Sequence, residues 1–367
     1  MKRERLTPYE KWMANEGIPI VSGWAVEDVL ELGRVFWARL NGKGAFIHLE
    51  GMEGVTGMYV VEIPPGAELN PEKHIFEEII YVLQGQGGVE IWQEGGEKNL
   101  FEWQRGSLFS PPLNTWHKLF NGSSQPAVLL AATNAPLLMD AYHNQDFMFN
   151  CDYRFVDRYG GSSGFFRGNG DRYQEGKANI WETNFIADVG SAHLDSQEGK
   201  VAGGSITQFQ MADNGLVGHI ADWPVGRYHK AHYHGGGAII LILKSFGYTL
   251  MWPNEIGTQP YKSKHGDQII KMDWVPGGIL SPPTGWFHQH FNVGKESARQ
   301  LAFRYGGRKY IQGLRRALGK GVEGVYTSTE EGGTLIEYKD EDPNIRIIFE
   351  KALTKEGISV QMPGSPS

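Results

Sequence analysis

Histidine is concentrated in two short segments of the chain, and these residues are the ones best suited to chemistry. Five of the twelve histidines lie there: His229, His232, His234, His288 and His290. Residues two apart on a β-strand point to the same face, so each pair with this spacing can converge on one point. A divalent cation offsets the cost of burying several neutral imidazoles together, and imidazole suits iron, nickel, copper and zinc. The spacing therefore predicts a metal site in the C-terminal half.

The second histidine segment has a counterpart in the first half of the chain. Residues 111–121 align without a gap with residues 282–292, and both segments place a histidine four residues before an asparagine. In each half a glycine, Gly106 or Gly277, stands six residues before the second proline. An internal repeat of this kind, offset by about 160 to 170 residues, indicates two copies of one domain.

Short apolar segments between Gly, Pro, Asn or Asp residues predict β-strands from Val35 onward. Strands at regular spacing with no helical periodicity between them are typical of a sandwich or barrel, so the expected fold class is mainly all-β. The expected organisation is an N-terminal arm (1–34), an N-terminal barrel (35–139), a connecting segment (140–177), a C-terminal barrel (178–306) and a C-terminal helical extension (307–367).

Helices are expected near the two ends of the chain. Thr7 before Pro8 is a helix-start signal, and Asp342 before Pro343 is a second one. Residues 309–318 also have a helical pattern. The glycine-rich connecting segment carries several aromatic residues, which indicates that it packs against a barrel.

Composition excludes several classes of partner. The net charge is −7, the pI is near 6.0 and no basic run stands out, so binding to nucleic acid is not expected. The single cysteine, Cys151, excludes an intrachain disulfide and a multi-cysteine zinc site and favours a reducing, cytoplasmic location. No apolar leader follows the basic N-terminus, and the longest apolar runs are too short to span a bilayer. A soluble protein without a membrane partner is expected.

The repeated segment resembles the second motif of the cupin superfamily, in which Gly, Pro, Gly, His and Asn occur at fixed spacing. The motif fits twice: from Gly106 to Asn121, with Asn114 at the position of the second glycine, and from Gly277 to Asn292 without departure. Two matches in one chain resemble a bicupin. The resemblance implies two double-stranded β-helix (cupin) barrels, a homo-oligomer, and metal ligands contributed by both motifs.

The first cupin motif departs from the family pattern in both halves. In the first half Glu72 stands where a histidine is usual, and the resemblance implies His74, Glu78 and His117 as metal ligands, with Glu72 as a possible addition. In the second half the usual glutamate is missing. The implied ligands there are three histidines, with a fourth possible: His232, His234, His288 and the possible His290.

For each site there is also an interpretation without a bound metal. The C-terminal histidines can hydrogen-bond one another in a metal-free barrel, although several imidazoles would then compete for few acceptors. The N-terminal site can be degenerate, with Glu72 exposed on a loop and His117 an ordinary interior histidine. Strand alternation places Glu77 toward solvent. Arg304 would bind a substrate carboxylate if it shares a face with the site, but an exposed position is the ordinary expectation for an arginine.

The leading functional hypothesis is a mononuclear Fe(II) dioxygenase acting on a small hydroxylated aromatic acid or another chelating carboxylate. Three neutral histidines leave a cation its full charge for an acidic substrate and leave open positions for O2. Gentisate-type ring-cleaving dioxygenases are bicupins of similar length with all-histidine sites, although their iron lies in the N-terminal barrel. Mn, Ni and Zn are alternatives to iron. The alternative functions are a non-oxidative metal-dependent decarboxylase, lyase or isomerase, and a non-enzymatic binding protein.

Overall fold

The computed structural model describes residues 5–52, 54–197, 200, 203–235, 237–310 and 324–362. Eleven strands form in the first half of the chain, as the alternation of short apolar segments and turns predicts. They are β1 (Ile20–Gly23), β2 (Ala25–Val26), β3 (Val35–Trp37), β4 (Gly42–Leu49), β5 (Gly57–Ile63), β6 (Glu78–Gln84), β7 (Gln86–Trp92), β8 (Asn99–Gln104), β9 (Leu108–Phe109), β10 (Trp116–Asn121) and β11 (Ala127–Thr133).

The second half repeats this arrangement. Its strands are β12 (Asp171–Glu175), β13 (Ala178–Glu182), β14 (Phe185–Ile186), β15 (Ser205–Gln210), β16 (Leu216–Trp223), β17 (Ile239–Lys244), β18 (Gly247–Pro253), β19 (Ile270–Trp274), β20 (Ile279–Leu280), β21 (Trp286–Asn292) and β22 (Ala298–Tyr305). The mainly all-β prediction and the two-barrel prediction are confirmed.

Each barrel consists of a large sheet and a three-stranded sheet. In the first barrel the large sheet has the order β1-β4-β5-β11-β6-β9-β14, with β3 beside β4, and the small sheet has the order β10-β7-β8. In the second barrel the orders are β12-β13-β15-β16-β22-β17-β20-β2 and β19-β18-β21. The large sheets pack against each other through a shared apolar core that includes Val60 and Leu130 from one barrel and Ile220 and Leu301 from the other.

The barrels also exchange short strands, which the sequence analysis did not foresee. β2 pairs with β20 of the second barrel, and β14 pairs with β9 of the first. The exchanged strands lead to Asp28 and Asp188, which pack on Gly277 and Gly106; both glycines have φ of 90°. A side chain at either glycine would meet the aspartate carboxylate. The absence of a side chain at the repeated glycine therefore allows the exchanged strand to approach closely.

Four helices are described. α1 (Pro8–Asn15) has Thr7 as N-cap in a complete capping box, and α4 (Pro343–Glu356) has Asp342 as N-cap and a proline in its first turn, so both helix-start predictions are confirmed. α2 (Ala135–Tyr142) and α3 (Gln145–Asn150) follow the first barrel. The helix predicted over 309–318 falls almost entirely on residues 311–323, outside the described residues. No helix in the described ranges has the length and apolar character that a bilayer span requires.

Glu77 does not face solvent, so that expectation is wrong. The side chain is 8% exposed and accepts hydrogen bonds from the backbone N–H groups of Gly215 (2.9 Å) and Leu216 (2.7 Å) in the second barrel. Asn134 (3.1 Å) and Arg158 (3.3 Å) also donate to it. Strand alternation does turn Glu77 away from Glu78, but the face opposite the barrel interior is covered by the second barrel rather than by water.

Replacing Glu77 by alanine is expected to destabilise the protein by about 3 kcal/mol or more, because two buried backbone N–H groups would lose their acceptor and Arg158 would lose its carboxylate partner. Urea denaturation followed by fluorescence would measure the change. Glu97→Ala, at an exposed glutamate, is the control and should leave the midpoint nearly unchanged. A midpoint for Glu77→Ala that matches this control would contradict the structural role.

Candidate metal centres

The N-terminal candidate centre lies where the loop before β6 crosses β10. Backbone hydrogen bonds pair Glu72 with His117 in both directions (3.0 and 2.9 Å), which brings the loop beside the strand. Glu78 Oε2 then lies 3.6 Å from Nε2 of His74 and 3.6 Å from Nε2 of His117. Glu72 Oε1 lies 3.8 Å from Nε2 of His117. All four residues named from the sequence meet here, and Glu72 is partly buried rather than exposed on a loop.

The donor atoms of this centre fit a metal ion. His74 Nδ1 donates to the Phe76 carbonyl (2.8 Å) and His117 Nδ1 donates to the Thr115 carbonyl (3.2 Å), so both Nε2 lone pairs point inward. Nε2 of His74, Nε2 of His117 and Oε2 of Glu78 are buried without a hydrogen-bond partner among the described residues. Buried polar atoms are ordinarily satisfied, and a cation bound at the point that these three atoms face would satisfy all of them.

The N-terminal centre combines two carboxyl groups with two imidazoles, and these groups shift one another's pKa values. Burial raises the pKa of Glu72 to about 7. Burial also acts to raise the pKa of Glu78, but the adjacent imidazoles of His74 and His117 hold it below its ordinary value. Burial lowers the pKa of His117 to about 4. The centre therefore offers a neutral imidazole and an ionised carboxylate as ligands.

The surroundings of this centre are closed. Tyr59 donates its hydroxyl hydrogen to Glu78 Oε1 (2.5 Å), and the Phe76 ring stacks on the His74 ring with centroids 3.7 Å apart. His74, Glu78 and His117 are all buried. Packing of this kind leaves little room for a substrate beside the ligands.

The C-terminal candidate centre lies where the loop before β17 crosses β21. His232 and His288 exchange backbone hydrogen bonds (3.2 and 3.0 Å), in the same way as Glu72 and His117. The ring centroids of His288 lie 4.5 Å from His232 and 4.9 Å from His234. One nitrogen from each of the three rings lies within 4.8 Å of the others. The three histidines named from the sequence thus converge.

The tautomers of these histidines also fit a metal ion. The Nδ1 atoms of His232, His234 and His288 lie 3.1, 3.2 and 3.1 Å from backbone carbonyls, to which they donate. In this tautomer the Nε2 atom of each ring carries the lone pair with which a histidine binds a metal. Burial lowers the pKa of His288 to about 4 and lowers the pKa of His232, so both imidazoles are neutral, as metal ligation requires.

His290, the possible fourth ligand, is held by a different partner. Its Nδ1 lies 2.8 Å from Thr249 Oγ1, which accepts a hydrogen bond from Trp274 Nε1 (3.1 Å). Among the described residues, its nitrogens do not join the group of three whose ligand atoms lie within 4.8 Å of each other. His290 nevertheless lines the same cavity, as does His229.

A cavity of about 30 Å³ lies beside the three histidines, and its charge is positive. Lys200 and Arg304 line it, and no acidic residue does so within the described part of the chain. Arg304 is 6% exposed, so the ordinary expectation of an exposed arginine is wrong here. One guanidinium nitrogen donates to Gln208 Oε1 (2.9 Å), while Nε has no partner among the described residues.

Strand alternation explains why Arg304 faces the cavity. On β22 the residues Gln300, Ala302 and Arg304 are two apart, and all three line the cavity. His219 is the cross-strand partner of Ala302 and of Gln208, so the same row extends over β15 and β16. Five further cavity residues were not named from the sequence, and period-two alternation around Arg304 was an available signal only for the first of them: Gln300, His219, Gln208, Lys200 and Tyr326.

Comparison with known proteins agrees with this architecture. Residues 59–133 match the family described as Cupin domain. Solved structures with similar folds include oxalate decarboxylase from Bacillus subtilis. The chain has the two-barrel fold of a bicupin. Two variants of that decarboxylase cover 78% of this bicupin and 78% of their own chains, with a TM-score of 0.51 and 12% and 11% identity. A structure of the same decarboxylase, described by its Mn(II) centres, gives 12% identity with the same coverage and TM-score.

At this identity the likeness to the decarboxylase concerns the fold of the bicupin. No curated protein sequence matches the chain significantly. The reaction of this bicupin must therefore be inferred from its own residues.

Proposed function

We propose that this bicupin is a metal-dependent enzyme that acts on a small carboxylate anion by non-oxidative chemistry, with the C-terminal barrel as its catalytic centre. The observation that carries the proposal is the cavity in which three convergent imidazoles lie beside two cationic side chains and no acidic residue among the described ones. The proposal replaces the Fe(II) dioxygenase hypothesis with the decarboxylase, lyase or isomerase alternative.

The charge of the cavity supports an anionic substrate. Three neutral histidines would leave a bound divalent cation its full charge, and Arg304 adds a positive charge that faces no acidic residue among the described cavity residues. Burying a charged group costs free energy unless a group of opposite charge pairs with it. A carboxylate substrate supplies the missing negative charge, and the planar guanidinium of Arg304 can bind a carboxylate through two parallel hydrogen bonds.

The size of the cavity supports a short acid rather than an aromatic one. A volume of about 30 Å³ accommodates only a few atoms beyond the ligands, whereas drug-sized ligands occupy roughly 300–1,000 Å³. The similar folds found in Bacillus subtilis belong to oxalate decarboxylase, and one of them is described by its Mn(II) centres. Both points favour decarboxylation of a small acid and Mn(II) as the first metal to test, ahead of ring cleavage with Fe(II).

The roles of the residues follow from their positions. His232, His234 and His288 would hold the divalent metal, which when bound supplies Lewis-acid polarisation of a carboxylate. Arg304 and Lys200 would orient the substrate anion and offset its charge. The buried surroundings exclude bulk water, which strengthens each of these charge interactions.

The N-terminal centre would hold a second metal with a structural role. His74, Glu78 and His117 are buried, Tyr59 and Phe76 pack directly on this centre, and the carboxylates of Glu72 and Glu78 would neutralise a divalent cation once both are ionised. Structural metal sites are typically closed in this way, while catalytic sites keep an open position.

Turnover of short carboxylic acids tests the proposed function. Protein reconstituted with Mn(II) or Fe(II) would be incubated with oxalate, malonate and oxaloacetate while CO2 release and dissolved O2 are monitored. We expect CO2 from at least one acid without net O2 consumption, and loss of that activity after chelation of the metal. Stoichiometric O2 consumption would favour the dioxygenase hypothesis. Absence of turnover together with absence of bound metal would favour a non-enzymatic binding protein.

A further inference from the structure

Tyr326 reaches the catalytic cavity from outside the repeated barrel. It lies in the short turn Gly324–Tyr326 of the C-terminal extension, and its side chain lines the cavity with the histidines and Arg304. The extension is fixed beside the ligand segment, because Ile336 N–H donates to the Ala231 carbonyl (2.8 Å) and His232 pairs with Leu335. The position of Tyr326 is therefore coupled to the position of a candidate metal ligand.

The orientation of the Tyr326 hydroxyl is determined by two glutamines. Gln208 must turn its oxygen toward Arg304, because a guanidinium can only donate, so its amide nitrogen faces the Tyr326 hydroxyl at 3.3 Å. Gln197 must turn its nitrogen toward the Lys177 carbonyl (2.6 Å), and the same nitrogen lies 3.1 Å from the hydroxyl. In both contacts the hydroxyl oxygen accepts, which leaves its own hydrogen for a further acceptor.

The surroundings also place hydrogen-bond donors and a positive charge near the Tyr326 side chain. Two amide N–H groups point at the phenol oxygen, and the ammonium group of Lys200 lies 5.0 Å from the centroid of the Tyr326 ring. These groups would stabilise a phenolate that forms during a reaction. The tyrosine beside the N-terminal centre differs, since Tyr59 already donates its hydroxyl hydrogen to Glu78.

We propose that Tyr326 is a catalytic residue that donates its hydroxyl proton to the substrate in the C-terminal cavity, an inference that rests on the proposed function. In a decarboxylation the bond between the carboxylate carbon and its neighbour breaks, CO2 leaves, and the electron pair stays on the neighbouring carbon. That carbon takes the proton from Tyr326, and water then returns a proton to the phenolate and leaves hydroxide. The step balances without an oxidant or reductant. Gln208 and Gln197 are positioning residues that turn the proton toward the substrate.

The test uses the 367-residue chain reconstituted with Mn(II), with oxalate as the binding probe. Oxalate affinity is measured by calorimetry, and the contact with tyrosine is measured by ultraviolet difference spectroscopy during titration. Tyr326→Phe removes only the hydroxyl, and Tyr338→Phe is the matched control, because that tyrosine lies in the same extension and donates to the Tyr228 carbonyl instead. Circular dichroism establishes that each variant is folded.

We expect oxalate to produce a tyrosine difference band in the wild type and in Tyr338→Phe but not in Tyr326→Phe. Oxalate affinity of Tyr326→Phe should fall by less than about tenfold, while CO2 release from the acid that is turned over should fall by about a hundredfold or more. The inference is overturned, and the proposed function stands, if Tyr326→Phe keeps the band or keeps wild-type turnover. Failure of the wild type to bind any of the three acids (oxalate, malonate and oxaloacetate) overturns the proposed function and the inference with it.

Gln208→Glu provides a second variant of nearly the same shape. The introduced carboxylate would pair with Arg304 and accept the Tyr326 proton, so the proton would point away from the substrate. We expect loss of the tyrosine band together with weaker oxalate binding. A band of wild-type size in this variant would contradict the assigned orientation.

Discussion

Replacing His234 by alanine is expected to remove the metal of the C-terminal barrel and to abolish turnover while the metal of the N-terminal barrel remains. His234 is the least buried of the three candidate ligands, so truncation should disturb the fold least. Loss of a partner that merely orients a ligand weakens metal binding by roughly 10- to 100-fold, and loss of a ligand itself should cost at least as much. Elemental analysis after dialysis, together with CO2 release, measures both effects.

The complementary variant separates the two centres. His74→Ala should remove the N-terminal metal and leave the C-terminal metal in place, with reduced thermal stability and retained turnover. His193→Ala, at an exposed histidine, is the control and should change neither metal content nor turnover. Loss of turnover in His74→Ala with full turnover in His234→Ala would show that the catalytic and structural roles have been assigned to the wrong barrels.

The candidate ligands were predictable from the spacing of the motif residues, because that spacing reflects local backbone geometry. Two histidines separated by one residue must share a face of an extended segment, and the repeated glycine, proline and histidine mark a strand that returns to the same place in each barrel. The helix starts at Thr7 and Asp342 were equally predictable, since a capping side chain contacts its own backbone only two or three residues away.

Burial of charged residues was not predictable in the same way. Glu77 and Arg304 lie in ordinary strand contexts, and only their distant neighbours make them buried: the second barrel covers Glu77, and the strands β15 and β16 enclose Arg304. Tyr326 enters the cavity from a segment with no motif of its own. The exchange of β2 and β14 likewise depends on the packing of one barrel against the other, which no local pattern specifies.

Arg304→Met is expected to weaken carboxylate binding strongly without destabilising the protein. A charge-assisted hydrogen bond contributes about 1.5–3 kcal/mol, so oxalate should bind roughly 10- to 150-fold more weakly. The free energy of unfolding should stay the same or rise by about 1 kcal/mol, because methionine fills a similar volume and no longer buries a guanidinium that lacks an acidic partner among the cavity residues. Calorimetric titration and urea denaturation measure the two quantities.

Arg299 on the same strand provides a control with the opposite expected behaviour. Its guanidinium forms two contacts with the carboxylate of Asp222 (2.7 and 2.6 Å) and donates to the Val189 carbonyl (2.9 Å). Arg299→Met should therefore lower stability, since it leaves Asp222 unpaired, while oxalate binding persists. Both variants replace an arginine of the same strand by methionine. A difference between them in stability or oxalate affinity therefore reflects the different surroundings of the two guanidinium groups. If Arg304→Met instead destabilises the protein as Arg299→Met does and keeps wild-type oxalate affinity, then Arg304 is a structural residue and the positive cavity does not bind the substrate anion.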